Sequence, residues 1–162
     1  GSLKRPLVLG MATLNIDLER IAIFVRTCRR VLPPEGDIVI LSDAHSPPNS
    51  TRAVLFREFG VIETVATVTK EIHDKYHPNS HRWVLLRDFL KAQPRPYDAV
   101  MFTDVRDVFF QADPFASMLR DPTALYVFRE ASPARRGEDG TIGTEQRNKG
   151  WVLKCFGEEG LK

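Results

Sequence analysis

The sequence predicts an α/β fold with a mainly parallel sheet and helices on both of its faces. Two observations predict it. Short apolar runs alternate along the chain with amphipathic segments, which is typical of strand–helix–strand units with right-handed crossovers. The runs are also continuously apolar, as expected of strands buried on both faces. Polar residues directly follow several of these runs, so they should lie together at one edge of the sheet.

The first strand is predicted at residues 6–12, ahead of Thr13 and Asn15. A helix from Ile16 to Leu32 follows, because apolar residues recur there at intervals of three and four. Asn15 or Asp17 can cap this helix. Its apolar residues are Leu18, Ile21, Ala22, Val25, Cys28 and Leu32.

The second strand is predicted at residues 37–41, with Asp43 at its C-terminal edge. A short helix capped by the polar residue at 49 or 50 runs to Phe59, and Gly60 ends it. Residues 61–68 are predicted to form the third strand.

Residues 70–81 are predicted to be irregular. His73, His77 and His81 recur every four residues, and on one helix they would suggest a zinc site. Pro78 argues against a continuous helix through all three, so surface histidines are the expectation.

A helix is predicted from His81 to Ala92. Arg82 lies in its first turn, at the end of a helix that favours anions. The spacing of the apolar residues predicts that Trp83, Leu86, Phe89 and Leu90 face the core.

Two acids follow the next strand, which is predicted at residues 99–103. Asp104 and Asp107 stand between this apolar run and a second one at residues 108–110. An unpaired buried carboxylate is costly, so both acids should lie in a crevice at the strand ends, where open α/β sheets bind ligands. Two carboxylates there suit Mg²⁺ or Mn²⁺ with a phosphate-bearing substrate. The alternative is structural, with the acids as turn formers or helix caps and Arg106 as an ion-pair partner.

The rest of the chain predicts a short helix at residues 113–119, a strand at 124–128, a loop at 129–143 and a helix from Thr144. Cys28 and Cys155 fall on apolar helix faces, which favours two buried thiols over a disulfide.

The composition is that of a globular domain, with 162 residues, 43% hydrophobic and 27% charged. A net charge of +2 gives no argument for a nucleic-acid partner, and Arg26, Arg29 and Arg30 are expected on a solvated helix face. No apolar run has the length of a membrane span. The initial Gly1–Ser2 is typical of a cloning remnant, so an anchor could have been removed. The sequence leaves the localisation open: a eukaryotic chain that had lost such an anchor is expected in the Golgi or endoplasmic-reticulum lumen, and otherwise the chain is expected in the cytoplasm.

The sequence resembles the nucleotide-diphospho-sugar transferases of the GT-A fold, whose nucleotide-binding part is Rossmann-like. The first strand leading into Thr13–Asn15 is similar to the segment that holds the nucleoside in glycogenin-like transferases. The helix carrying Arg82 resembles the one whose basic residue reaches the donor sugar or diphosphate. FTDVRDVFFQADPF is similar to the DxD region, in which an apolar strand, the acids and a second apolar strand precede D-P-F.

The sequence departs from this pattern in two ways. Val105 and Arg106 separate the acids, where one residue is usual; this spacing resembles the glycosyltransferase domain of procollagen-lysine modifying enzymes. Every histidine also precedes Asp104, whereas the family has a C-terminal half with the acceptor pocket and often a histidine metal ligand. The expectation is a single GT-A-like domain over residues 1–162 that lacks the acceptor portion. Such a domain is expected to bind donor weakly and to transfer no sugar by itself.

The resemblance implies a metal-dependent glycosyltransferase that moves a hexose from a nucleotide sugar, expected to be UDP-linked, to a glycan, protein or small-molecule acceptor. Asp104 and Asp107 would bind Mn²⁺ or Mg²⁺. No catalytic base is assigned. A non-catalytic nucleotide-sugar binding module or an inactive fragment stays open as an alternative, and a phosphotransferase or phosphatase fits the acid spacing poorly. The implied donor-binding residues are Thr13, Asn15, Asp43, Arg82, Thr103, Asp104, Val105 and Arg106.

Overall fold

The structure, a computed structural model, describes residues 4–13, 15–76 and 80–116, all in one compact unit that ends at Pro122. Predictions for the strand at 124–128, the loop at 129–143 and the helix from Thr144 lie outside these residues, as does Cys155. The elements in chain order are β1 (Pro6–Met11), α1 (Leu18–Val31), β2 (Asp37–Ser42), α2 (Thr51–Glu58), β3 (Val61–Val65), α3 (Lys70–Lys75), α4 (His81–Lys91) and β4 (Ala99–Asp104).

The four strands form one parallel sheet in the order β3-β2-β1-β4. Leu9 of β1 is aligned with Val39 of β2 on one side and with Phe102 of β4 on the other. The predicted α/β class and the parallel sheet are confirmed.

Helices cover both faces of the sheet, as predicted. Side chains alternate along each strand. Val8 therefore packs with Phe24 and other residues of α1 and α2, while Leu9 packs with Leu85 of α4 and Ile72 of α3. These two apolar clusters place the sheet in the middle of a three-layer domain.

Local capping explains where the first helices begin and end. The Asp17 carboxylate accepts a hydrogen bond from the backbone N–H of Glu19 at 3.0 Å and starts α1. Ser50 accepts from the backbone N–H of Ala53 at 3.2 Å and starts α2. Gly60 follows α2 with φ +61, a conformation that glycine adopts without strain. These cap predictions are confirmed.

The prediction of an irregular segment over residues 70–81 is wrong at residues 70–75, while residues 77–79, which include His77, lie outside the described residues. Residues 70–75 form α3, and the Thr69 hydroxyl caps it by accepting from the backbone N–H of Ile72 at 3.3 Å. His81 starts α4 as a buried residue, with Nε2 lying 3.0 Å from the carbonyl oxygen of Tyr76. Of the histidines expected at the surface, His73 is exposed and His81 is not.

The prediction that Trp83 faces the core is also wrong, because 56% of this residue is exposed. Val84 and Leu85 are the buried apolar residues of α4, while Phe89 is half-buried. The indole ring packs on the Phe102 ring with centroids 5.1 Å apart. Residues 83–86 are all apolar, so the sequence did not define which side of this helix would be buried.

The second apolar run of the motif region, residues 108–110, does not form a strand. Phe110 is buried and its ring meets Phe24 edge-on, with centroids 5.5 Å apart. Its backbone N–H donates to the Thr27 hydroxyl at 3.1 Å, which ties the segment to α1. Phe109, in contrast, is 58% exposed.

Arg29 is not simply part of a solvated helix face. Its guanidinium is half-buried and donates to the carbonyl oxygens of Gly36 at 2.9 Å, Phe59 at 3.0 Å and Gly60 at 3.3 Å. Arg26 and Arg30 are exposed, as predicted. Arg29 therefore joins α1 to the turn before β2 and to the turn after α2.

Burial raises the pKa of the Cys28 thiol to about 12, from an ordinary value of 9.0. The fold therefore favours the neutral thiol. The contribution of the Cys28 thiol to stability is complete below about pH 9 and is lost as the pH rises toward 12. The reason is that the thiol of the unfolded chain ionises at a lower pH than that of the folded chain.

We expect the melting temperature to fall from about pH 9 upward, and to fall less steeply in Cys28→Ala. The reference protein and the Cys28→Ala variant both carry Cys155→Ser, so Cys28 is the only thiol of the reference protein. Parallel pH profiles of the two melting temperatures would contradict this account.

Candidate functional site

A cleft of about 350 Å³ opens at the carboxyl edge of the sheet. The strand order explains its place: the chain proceeds from β1 to β2 and β3 on one side, and β4 lies on the other side of β1. The order therefore reverses at β1, and ligands of open α/β sheets bind outside the strand ends at such a switch point. The cleft is lined by Met11, Ala12, Thr13, Ile16, Leu41, Ser42, Asp43, Ala66, Val68, His81, Arg82, Leu85, Phe102, Asp104 and Arg106.

Five of the residues predicted for the site line this cleft. Thr13 follows β1, Asp43 follows β2, Arg82 lies in the first turn of α4, and Asp104 and Arg106 lie at and after the end of β4. The sheet thus brings together residues that are far apart in the sequence, with 93 positions between Thr13 and Arg106 as the largest separation.

The other four predicted residues do not line the cleft. Asn15 and Asp107 are exposed, and Thr103 is half-buried with its hydroxyl 3.3 Å from the carbonyl oxygen of Asp104. Val105 is 1% exposed and packs in the core with Phe24. Any contact of Val105 with a ligand would involve its backbone and not its side chain.

The Arg82 guanidinium donates to Asp104 Oδ1 at 3.2 Å. The sequence had suggested Arg106 as the ion-pair partner of an acid; among the described residues Asp104 pairs with Arg82 instead. The two side chains remain 41% and 64% exposed, so water screens the pair and it adds little stability. A positive and a negative group thus lie side by side at the cleft, both accessible to a ligand.

The donor set at the end of β4 fits a hard divalent cation that shares its coordination with phosphate. Asp104 and Asp107 are exposed carboxylates three positions apart. The part of the chain that the structure describes contains no group of three metal-binding side chains. Mg²⁺ is commonly bound by one or two carboxylates, with phosphate and water oxygens completing the shell.

A buried ion pair behind the cleft was missed by the sequence analysis. Arg52 of α2 is 7% exposed, and its Nη2 lies 3.4 Å from Oε1 of Glu63 on β3. Burial lowers the pKa of Arg52, while the charges of Glu63 and Asp43 oppose that shift. One signal was present in the sequence: Glu63 is the charged residue of an otherwise uncharged strand, VIETV. A charge in such a strand indicates a buried partner.

Gly10 joins the site to the core. A Cβ at this position would collide with Cγ2 of Val105, the residue that follows Asp104. The absence of a side chain at Gly10 therefore lets the loop after β4 fold back over the sheet.

We expect Gly10→Ala to lower the unfolding free energy by about 1–3 kcal/mol through overpacking. Val105→Ala in the same chain should recover part of this loss, because it removes the colliding methyl group. Denaturant unfolding of the parent, both single variants and the double variant measures the coupling. Additive losses would contradict the close approach.

Neither a family model, nor a curated protein, nor a solved structure matches this chain. Within residues 4–13, 15–76 and 80–116, no helix is both long and apolar enough to cross a membrane.

Proposed function

We propose that this chain binds a nucleotide sugar together with a divalent metal ion at the carboxyl edge of its sheet, as the donor-binding part of a glycosyltransferase that moves the sugar to an acceptor. One observation carries the proposal: Arg82 and Asp104 lie side by side at the switch-point cleft that Thr13 and Asp43 also line. A diphosphate bridged to a cation needs both charges at one place. The resemblance of residues 98–115 to the DxD region supports the same assignment.

Each residue has a distinct role in this proposal. Asp104 and Asp107 would hold Mn²⁺ or Mg²⁺, which would supply Lewis-acid stabilisation of the departing nucleoside diphosphate. Arg82 reorients from Asp104 toward the diphosphate or sugar, where a guanidinium can form two parallel hydrogen bonds. Thr13 and Asp43 contact the base or ribose from the ends of β1 and β2.

The proposed activity is tested by incubating the chain with UDP-sugars and Mn²⁺ and measuring release of UDP. Release that stops on chelation of the metal supports a transferase, because water can take the place of the acceptor in the assay. Metal-dependent binding without release would support the alternative of a non-catalytic nucleotide-sugar binding module. Asp104→Asn is the matched inactive control in both cases.

A further inference from the structure

Arg52 contacts three cleft-lining residues from behind without lining the cleft itself. It donates from Nη1 to the carbonyl oxygen of Thr13 at 2.8 Å and from Nη2 to that of Ala12 at 3.2 Å. Nη2 also donates to the Ser42 hydroxyl at 2.7 Å. One guanidinium thereby holds the segment after β1 and the last residue of β2.

Glu63 keeps this guanidinium in place. Its carboxylate lies 3.4 Å from Arg52 and accepts from both the backbone N–H and the hydroxyl of Ser46 at 2.8 Å. The two side chains of the ion pair are only 8% and 12% exposed. Desolvation offsets much of the attraction in such a pair, so stability alone explains it poorly.

We propose that Arg52 is a positioning residue for the ligand of the cleft, with Glu63 as its support. The proposal rests on the proposed function. Within a trans peptide the C=O and the following N–H point in opposite directions. Because the Ala12 carbonyl points at Arg52, the N–H of Thr13 points away from the buried guanidinium. The Thr13 N–H is then a fixed donor for an oxygen of the nucleoside.

The test compares Arg52→Lys with Arg57→Lys, an exposed arginine on the same helix. Lysine keeps the charge but lacks the fork that holds two carbonyl oxygens. Calorimetry with UDP and Mn²⁺ should show about a tenfold loss of affinity for Arg52→Lys and none for Arg57→Lys. Amide hydrogen exchange should accelerate locally at Ala12 and Ile16, whose N–H groups donate to the carbonyl oxygens of Leu41 at 2.9 Å and Thr13 at 3.2 Å.

Glu63→Gln provides the milder variant, which decides the question if Arg52→Lys does not fold. It retains the shape of the side chain but removes the charge, and UDP affinity should fall by about threefold or more. Combined with Arg52→Lys it should cause no further loss, since both act through one network. Parental affinity in Arg52→Lys, or in Glu63→Gln where the lysine variant is unfolded, would overturn the proposal.

Hydrogen exchange separates this proposal from the proposed function. If the parent chain does not bind UDP, the proposed function fails, while the effect of Arg52 on the exchange of the Ala12 and Ile16 amides can still be measured. Acceleration confined to these residues would support the role of Arg52. Unchanged exchange, or acceleration spread over the whole sheet, would overturn it.

Discussion

Asp104→Asn and Asp107→Asn are each expected to lower the affinity for UDP in Mn²⁺ by at least about tenfold, or roughly 1.4 kcal/mol. Each removes one of two negative charges available at the end of β4 to compensate a dication. The fold should survive, because both acids are exposed and the Arg82–Asp104 pair is screened by water. Calorimetry gives the affinity and thermal unfolding gives the stability of each variant.

Asp88→Asn is the matched control for this experiment. Asp88 is an exposed aspartate that also pairs with an arginine, Arg87, at 2.7 Å, but it does not line the cleft. Its replacement should leave UDP affinity unchanged. Unchanged affinity and melting in both acid variants would exclude the metal assignment. A large loss of stability in Asp107→Asn alone would instead favour a structural turn.

Phe24→Ala is expected to lower the unfolding free energy by about 3–5 kcal/mol, the largest stability effect that we predict. Phe24 is fully buried on α1, and its ring contacts Phe110 of the segment after the acids. Removing the ring leaves a cavity between α1, the sheet and that segment. Denaturant unfolding measures the loss.

Trp83→Ala is the matched aromatic control. Most of Trp83 is exposed, so its truncation should cost about 1 kcal/mol or less in spite of its greater size. Comparable losses for the two variants would mean that Trp83 is part of the core, as its spacing in the sequence had suggested.

The sheet and its carboxyl edge could be predicted because their signals are local. Apolar runs identify β1, β2 and β4, and the polar residues after them, such as Thr13 and Asp104, must meet once the strands are parallel. The strand order that makes this edge a switch point depends on pairing between distant residues. No local pattern contains that information.

The parts that could not be predicted involve choices between equivalent local patterns. Residues 83–86 are apolar in succession, so either Trp83 or Leu85 could have faced the sheet. Arg52 occupies the first turn of a helix, where an arginine is ordinarily solvated. Only the fold places Glu63 and the carbonyl oxygens of the segment after β1 beside it. The sequence thus predicted the exposed charges of the site but not the buried ones that shape it.

The most direct test of the central claim is the binding of UDP to the unmodified chain, measured by calorimetry with Mn²⁺ and again with the metal chelated. We expect binding in Mn²⁺ and an affinity at least about tenfold lower without it, because the diphosphate then faces uncompensated carboxylates. Equal affinity under both conditions, or no binding in either, would contradict a metal-dependent nucleotide-sugar site at the end of β4.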